Sequence, residues 1–246
     1  MSRTTTLFFA IVAYAIFFAT FLYLIVFVGD FSFADRTVDV GPSAPVGVAA
    51  VTDLLLIALF GLQHSGMARP AFKRAWTRIV PQAAERSVYV LAASIMLMIL
   101  FLGWRPIPQV VWSVTNPIAA NIIWLLFWAG WGIVLLSTFL INHFELFGLQ
   151  QAWLNMRGRR AANPELRQPF FYRWVAHPLY SGFFLAFWAA PEMTAGHLLL
   201  AVGMSTFMLI GIRYEERDLT ALFGEDYSRY RSGVGMLIPR FGRRRA

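Results

Sequence analysis

Three short runs hold most of the residues that could do chemistry in an otherwise apolar chain. The first is Gln63-His64-Ser65, with Asp53 upstream. The spacing between Asp53 and His64 is close to three helical turns, so the two share a helix face, about 16 Å apart along the axis. Such a pair suits proton handling. A capping histidine and a hydrogen-bonded structural carboxylate are the plainer alternative. The second run is Asn142-His143-Phe144-Glu145, followed by Gln150 and Gln151. It is either the solvated end of a helix or, with His64, the lining of one cavity. The third begins at Arg173, passes through His177-Pro178-Leu179-Tyr180-Ser181-Gly182, and resumes at Arg213-Tyr214-Glu215-Glu216-Arg217-Asp218-Leu219. It continues in Phe223-Gly224, Tyr227 and Tyr230. Pro178 fits the first turn of a helix, whose free N–H groups suit a carboxylate. The glutamates either pair with Arg213 and Arg217 or meet a cationic ligand.

Some chemistry is excluded. Cysteine is absent, which removes a thiolate nucleophile, thiolate-bound zinc and iron–sulfur clusters. Lys73 is the one lysine, so imine chemistry is a poor fit. Four histidines without H-E-x-x-H spacing give no metal site, and none is expected.

The elements that position these runs follow from hydropathy. Of 246 residues, 58% are hydrophobic and 14% charged, against about 25% charged in soluble domains. Mean hydropathy is +0.58. The fold class is therefore all-α, a polytopic transmembrane helical bundle forming a single domain over 1–246. Six spans are expected, near 7–28, 46–63, 87–103, 119–141, 175–190 and 195–212. The first is too long for a signal-peptide core, and its Ala13-Tyr14-Ala15 lies inside the apolar run, so it is read as a true span. Only Pro191-Glu192-Met193-Thr194 separate the last two, which predicts a tight helical hairpin. That hairpin brings Glu215 and Glu216 back beside His177 and Tyr180.

Loop charge orients the bundle. The loops 64–86 and 142–174 and the tail from Arg213 are basic, while 29–45, 104–118 and 191–194 are not. The alternation places both termini, and all three polar runs, on the cytoplasmic side of a bacterial-type inner (cytoplasmic) membrane. The net charge of +8 then reflects orientation and contact with the lipid bilayer. The basic residues are scattered over separate loops, so no nucleic acid is expected. No obligate protein partner is evident, and Arg243–Arg245 reads as a lipid tether.

The third run resembles the isoprenylcysteine carboxyl methyltransferase family and its bacterial relatives, integral membrane enzymes that use S-adenosylmethionine. The family pattern is R-H-P-x-Y-x-G, a helical hairpin, then E-E-x-x-L-x-x-x-F-G-x-x-Y-x-x-Y. It is matched from Ala176 to Tyr230, with Ala176 in place of the family's arginine and Arg173 as the candidate substitute. Phe60-Gly61-Leu62-Gln63-His64-Ser65 and Met67-Ala68-Arg69-Pro70 resemble one branch. It holds thiol S-methyltransferases and denitrification-associated NnrU-like proteins.

The resemblance implies methyl transfer from S-adenosylmethionine to a small volatile thiol, methanethiol, giving dimethyl sulfide. Alternatives are a related membrane methyltransferase for another thiol, an isoprenoid or a lipid, and a non-enzymatic NnrU-like protein. The implied cofactor site spans about 170–235 and draws on Arg173, His177, Pro178, Tyr180, Ser181, Gly182, Arg213, Glu215, Glu216, Tyr227 and Tyr230, with Gln150 reading an adenine edge. His64 or His143 would accept the thiol proton, oriented by Asp53, Asn142 or Glu145. Tyr14, Phe60, Gln63 and Trp128 would enclose the acceptor, although aromatic stripes in spans also serve packing.

Overall fold

The computed structural model of the chain describes residues 1–159 and 166–240. Arg243–Arg245, read above as a tether, lie outside the described residues. Among those described, five helices are long and apolar enough to cross a membrane: α1 (Arg3–Val28), α2 (Val46–Ala68), α4 (Gln82–Gly103), α5 (Pro117–Ile141) and α9 (Ala195–Phe223). Shorter helices are α3 (Pro70–Trp76), α6 (His143–Leu146), α7 (Leu149–Met156), α8 (Pro178–Trp188) and α10 (Glu225–Gly233). Two short strands, β1 (Val110–Ser113) and β2 (Glu192–Thr194), pair antiparallel. The chain is an all-α, multi-pass membrane protein.

The fifth apolar run differs from expectation. It is helical over 11 residues only, about 16 Å and half a hydrocarbon core. Pro178 opens α8 at its first position. Pro191 bars the residue before it from helical geometry, and non-helical backbone carries the chain on to β2.

Contacts divide the chain into two compact units. The first holds Met1–Ser113, residues 143–159 and Glu192–Gly203. In it α1 packs on α4 and α7, and α2 on α4. Buried Ala10 and Ala13 leave room for close approach along α1. Phe27 lies 4.9 Å from Phe101 and 5.9 Å from Trp104, whose indole N–H donates to the Val38 carbonyl at 3.0 Å. Asp53 is fully buried in α2 and accepts the Arg105 N–H at 2.9 Å, fixing the turn after α4.

The loop after α1 is tied to β2 by the Thr194 hydroxyl, which donates to Asp39 Oδ1 at 2.5 Å. Burial pushes the Asp39 carboxyl up to about 6, against the pull of that hydrogen bond. The folded state thus holds this proton more tightly than the unfolded chain does. Stability from this group is present at pH 4 and lost as the pH rises through 6. In detergent, the melting temperature of the wild type should fall relative to Asp39→Asn by about a few degrees between those limits. Parallel pH profiles would contradict this.

The second unit holds Val114–Asn142 and residues 166–191 and 204–240. Asn116 caps α5 by accepting from the Ile118 and Ala119 N–H groups, and Pro117 takes the first helical position. The α5–α8 crossing is close because Gly130 and Gly182 face each other. A Cβ on Gly182 would stand 2.7 Å from the Gly130 carbonyl oxygen and 2.8 Å from the Val134 nitrogen. Backbone cannot yield as a side chain can, so Gly182→Ala should cost about 1–3 kcal/mol. A melting temperature equal to wild type would refute that.

The expected hairpin is present within this unit. His177 Nε2 lies 3.2 Å from Glu216 Oε1, and Trp188 Nε1 donates to Ser205 Oγ at 2.9 Å. The two contacts bracket α8 running antiparallel to the second half of α9. Gly224 then adopts φ 58°, a glycine conformation, and breaks the helix into α10.

Candidate functional site

In the second unit the site begins at the entrance to α8. A residue before proline is held out of the helical region, and His177 has φ −129° and ψ 64°. The segment before α8 is strapped by the chain after α10. Ala176 and His177 N–H groups donate to the Gly235 and Met236 carbonyls at 2.8 and 3.1 Å, and the Gly235 N–H returns to Trp174 at 3.1 Å. The Ser181 hydroxyl donates to the Leu237 carbonyl at 2.7 Å. Ser181 and Gly182 therefore brace the start of α8, one through the strap and the other against α5.

This places the buried His177 ring between two adjacent carboxylates, Nδ1 3.9 Å from Glu215 Oε2 and Nε2 3.2 Å from Glu216 Oε1. A carboxylate only accepts, so Nε2 carries a proton towards Glu216. Arg231 Nε donates to the same Glu216 oxygen. Glu216 is thus held from two sides, while the Glu215 side chain is 44% exposed.

Tyrosines surround these acids. Tyr230 donates to the Tyr172 carbonyl at 2.8 Å and also approaches that of Val175 at 3.3 Å. Burial pushes its hydroxyl up to about 12, with Arg231 opposing. Burial also raises Tyr172 and Tyr227, reinforced by the Glu215 and Glu216 charges. All three therefore stand at neutral pH as un-ionised O–H groups. Tyr227 is 2% exposed, and its hydroxyl has no partner among the described residues. A buried hydroxyl without a partner costs about 1–3 kcal/mol, which a ligand acceptor would recover. Tyr180 packs edge-on to His177 at 5.7 Å.

The cluster thus offers two carboxylates against one guanidinium, un-ionised phenols and aromatic faces. It fits a ligand with a cationic group, hydroxyls and a flat ring. Arg173 is exposed at the end of a 3₁₀ turn, Phe170–Arg173. Arg213 lies elsewhere on α9, in a groove with Ile210, Tyr214 and Arg217. Trp128 is half exposed on α5. Tyr172 and Arg231 are site residues that sequence reasoning missed. Tyr172 lies inside Phe-Phe-Tyr-Arg and Arg231 inside a polar helix, and neither pattern marks a partner.

In the first unit, both candidate bases meet tyrosines. His64 Nε2 lies 2.7 Å from the Tyr89 hydroxyl, with Phe60 5.3 Å from its ring and the Arg86 guanidinium 6.0 Å over Tyr89. His143 is buried, with Nε2 2.7 Å from the Tyr14 hydroxyl and Phe147 packed at 4.8 Å. Burial lowers its basicity below the ordinary histidine value, so the ring is neutral at pH 7. The turn before α7 meets α4 where Gly148 abuts Ser87.

Asp53 is engaged at Arg105, about three turns from His64. Asn142 ends α5 in a left-handed conformation, φ 117°. The Glu145 carbonyl accepts from Gln151 Nε2 at 2.9 Å, Gln63 Nε2 donates to Met67 Sδ at 3.0 Å, and Gln150 stands on α7. Tyr89, which sequence reasoning did not single out, is the hydroxyl that orients His64.

Comparison with known proteins supplies the family. The chain is 48% identical over 239 residues to methanethiol S-methyltransferase of Mycobacterium tuberculosis, covering 97% of this chain and 98% of that protein. It is 49% identical over 245 residues to methanethiol S-methyltransferase 2 of Bradyrhizobium diazoefficiens, covering 99% and 94%. A nurim homolog of Drosophila pseudoobscura pseudoobscura is 28% identical over 177 residues, 69% of each chain. No family model and no solved structure matches.

Proposed function

The chain belongs to the methanethiol S-methyltransferase family, and from that membership we infer its reaction: it methylates methanethiol and releases dimethyl sulfide. The methyl donor is S-adenosylmethionine, held at the His177–Glu216 cluster. The observation that carries this assignment is the Tyr227 hydroxyl, buried among acids and tyrosines without a partner. When bound, the cofactor supplies an electrophilic methyl on a sulfonium.

The protein's own groups do the rest. Glu215, the more exposed acid, meets the cofactor's ammonium or ribose. Glu216, fixed by His177 and Arg231, sets the local negative potential that favours a cation. Tyr180, Tyr227 and Tyr230 wall the adenine side. Methyl transfer asks mainly for positioning and exclusion of water. The thiol must lose its proton, and the imidazole of His64 or His143 accepts it. Tyr89 and Tyr14 hold the respective Nε2 atoms and fix the rings. The loop charges orient both termini to the cytoplasm of a bacterial inner membrane.

Tyr227→Phe tests the cofactor assignment with opposite readouts. Removing a buried hydroxyl that lacks a partner leaves thermal stability equal or slightly raised. The same change weakens S-adenosylmethionine binding by about tenfold, read by calorimetry in detergent. Unaltered binding would move the cofactor away from Tyr227.

A further inference from the structure

A groove on α9 takes no part in the chemistry above. It is an open groove lined by Ile210, Arg213, Tyr214 and Arg217. At 100° per residue these four form one stripe. The stripe through Ser205, Met208, Ile212 and Glu216, which carries the buried side of the helix and the contact to His177, lies roughly opposite.

Its position along the helix is equally specific. Residues 195–212 are apolar apart from His197, Ser205 and Thr206 and measure about 27 Å, close to one hydrocarbon core. Arg213 is the first charge beyond them. Ile210 is 45% exposed one turn deeper, and Tyr214 is 44% exposed beside the arginines. Arg213 and Arg217 are exposed, one turn apart, and among the described residues neither has a carboxylate within ion-pair distance. Like charges at this spacing repel unless an anion bridges them. The planar fork of each guanidinium matches phosphate oxygens.

We infer that this groove binds the phosphodiester headgroup of an anionic phospholipid, with its first acyl carbons against Ile210. A headgroup anion on paired arginines, an apolar contact just below and an interfacial tyrosine are the contacts such a lipid makes at a membrane boundary.

The test incubates the purified full chain in neutral detergent with phosphatidylglycerol or phosphatidylcholine, and native mass spectrometry reads retained lipid. Phosphatidylglycerol should be retained preferentially, and Arg213→Gln/Arg217→Gln should reduce its retention on the order of tenfold. Arg217→Gln alone, a single exposed change, should act in the same direction with smaller size. Arg74→Gln/Arg78→Gln removes equal charge elsewhere and should leave retention at the wild-type level. Equal loss in that control, no loss in the α9 variant, or displacement of the lipid by inorganic phosphate alone would overturn the assignment. So would a matching loss of S-adenosylmethionine affinity, which would return the groove to the cofactor.

Discussion

Glu216→Gln should reduce S-adenosylmethionine affinity by about 10- to 100-fold while the protein remains folded in detergent. Glu216 is the acceptor that holds both His177 Nε2 and Arg231 Nε. The amide keeps the shape and removes the charge. His177 then loses the carboxylate that fixes its ring, and Arg231 is left as an uncompensated cation beside the ligand's own. The side chain is 27% exposed, so solvent limits the cost to folding. His177→Ala, which removes the ring between the two acids, should weaken binding as much. Arg229→Gln is the control, because its contact to Asp226 is 4.0 Å long with both side chains 78% exposed. Its affinity should stay within about twofold of wild type. Titration of the cofactor by calorimetry distinguishes the cases, and wild-type affinity in Glu216→Gln would remove the cluster from the binding site.

The second large effect concerns the thiol proton. Of His64→Asn and His143→Asn, the one that removes the base should lower kcat by about 10²- to 10⁴-fold. Cofactor affinity should be retained, because neither ring belongs to the His177 cluster. If His143 is the base, pH adds a sign. Burial lowers its pKa, so the unprotonated form persists as pH falls through the usual histidine range. The acid limb of kcat/KM should then lie below about 6.5. An acid limb at or above that value would contradict His143 as the base, and near-wild-type kcat in both variants would exclude histidine catalysis.

Much of the fold was legible because lipid imposes length and apolarity on a spanning helix. Five runs read from hydropathy are helices α1, α2, α4, α5 and α9. Pro178 at the head of α8, and His177 facing Glu216 across the hairpin, also follow from local rules, proline geometry and a short connection. The length of α8 was obscured because an apolar run does not show where helix yields to extended backbone. Pro191 was the available signal.

The candidate site was legible in residue type more than in partnership. Arg231 reaches Glu216 across 15 residues, and Tyr230 reaches Tyr172 across 58. Such contacts leave no period in the sequence. Asp53 shared a face with His64 as expected, yet its carboxylate serves the Arg105 N–H. The helix rise already put the two about 16 Å apart, and what the sequence did not show was the partner at Arg105. For Gly182, the close approach to Gly130 arises from another helix and was invisible in its own motif.

Following the methyl group itself tests the proposed reaction. Purified protein is incubated with methanethiol and S-adenosylmethionine deuterated on its sulfonium methyl, and headspace gas chromatography with mass detection reads the product. Dimethyl sulfide carrying the label, formed over many turnovers and absent without the thiol, is the expected result. Folded protein that yields no labelled dimethyl sulfide, or yields only the unlabelled compound, would contradict it.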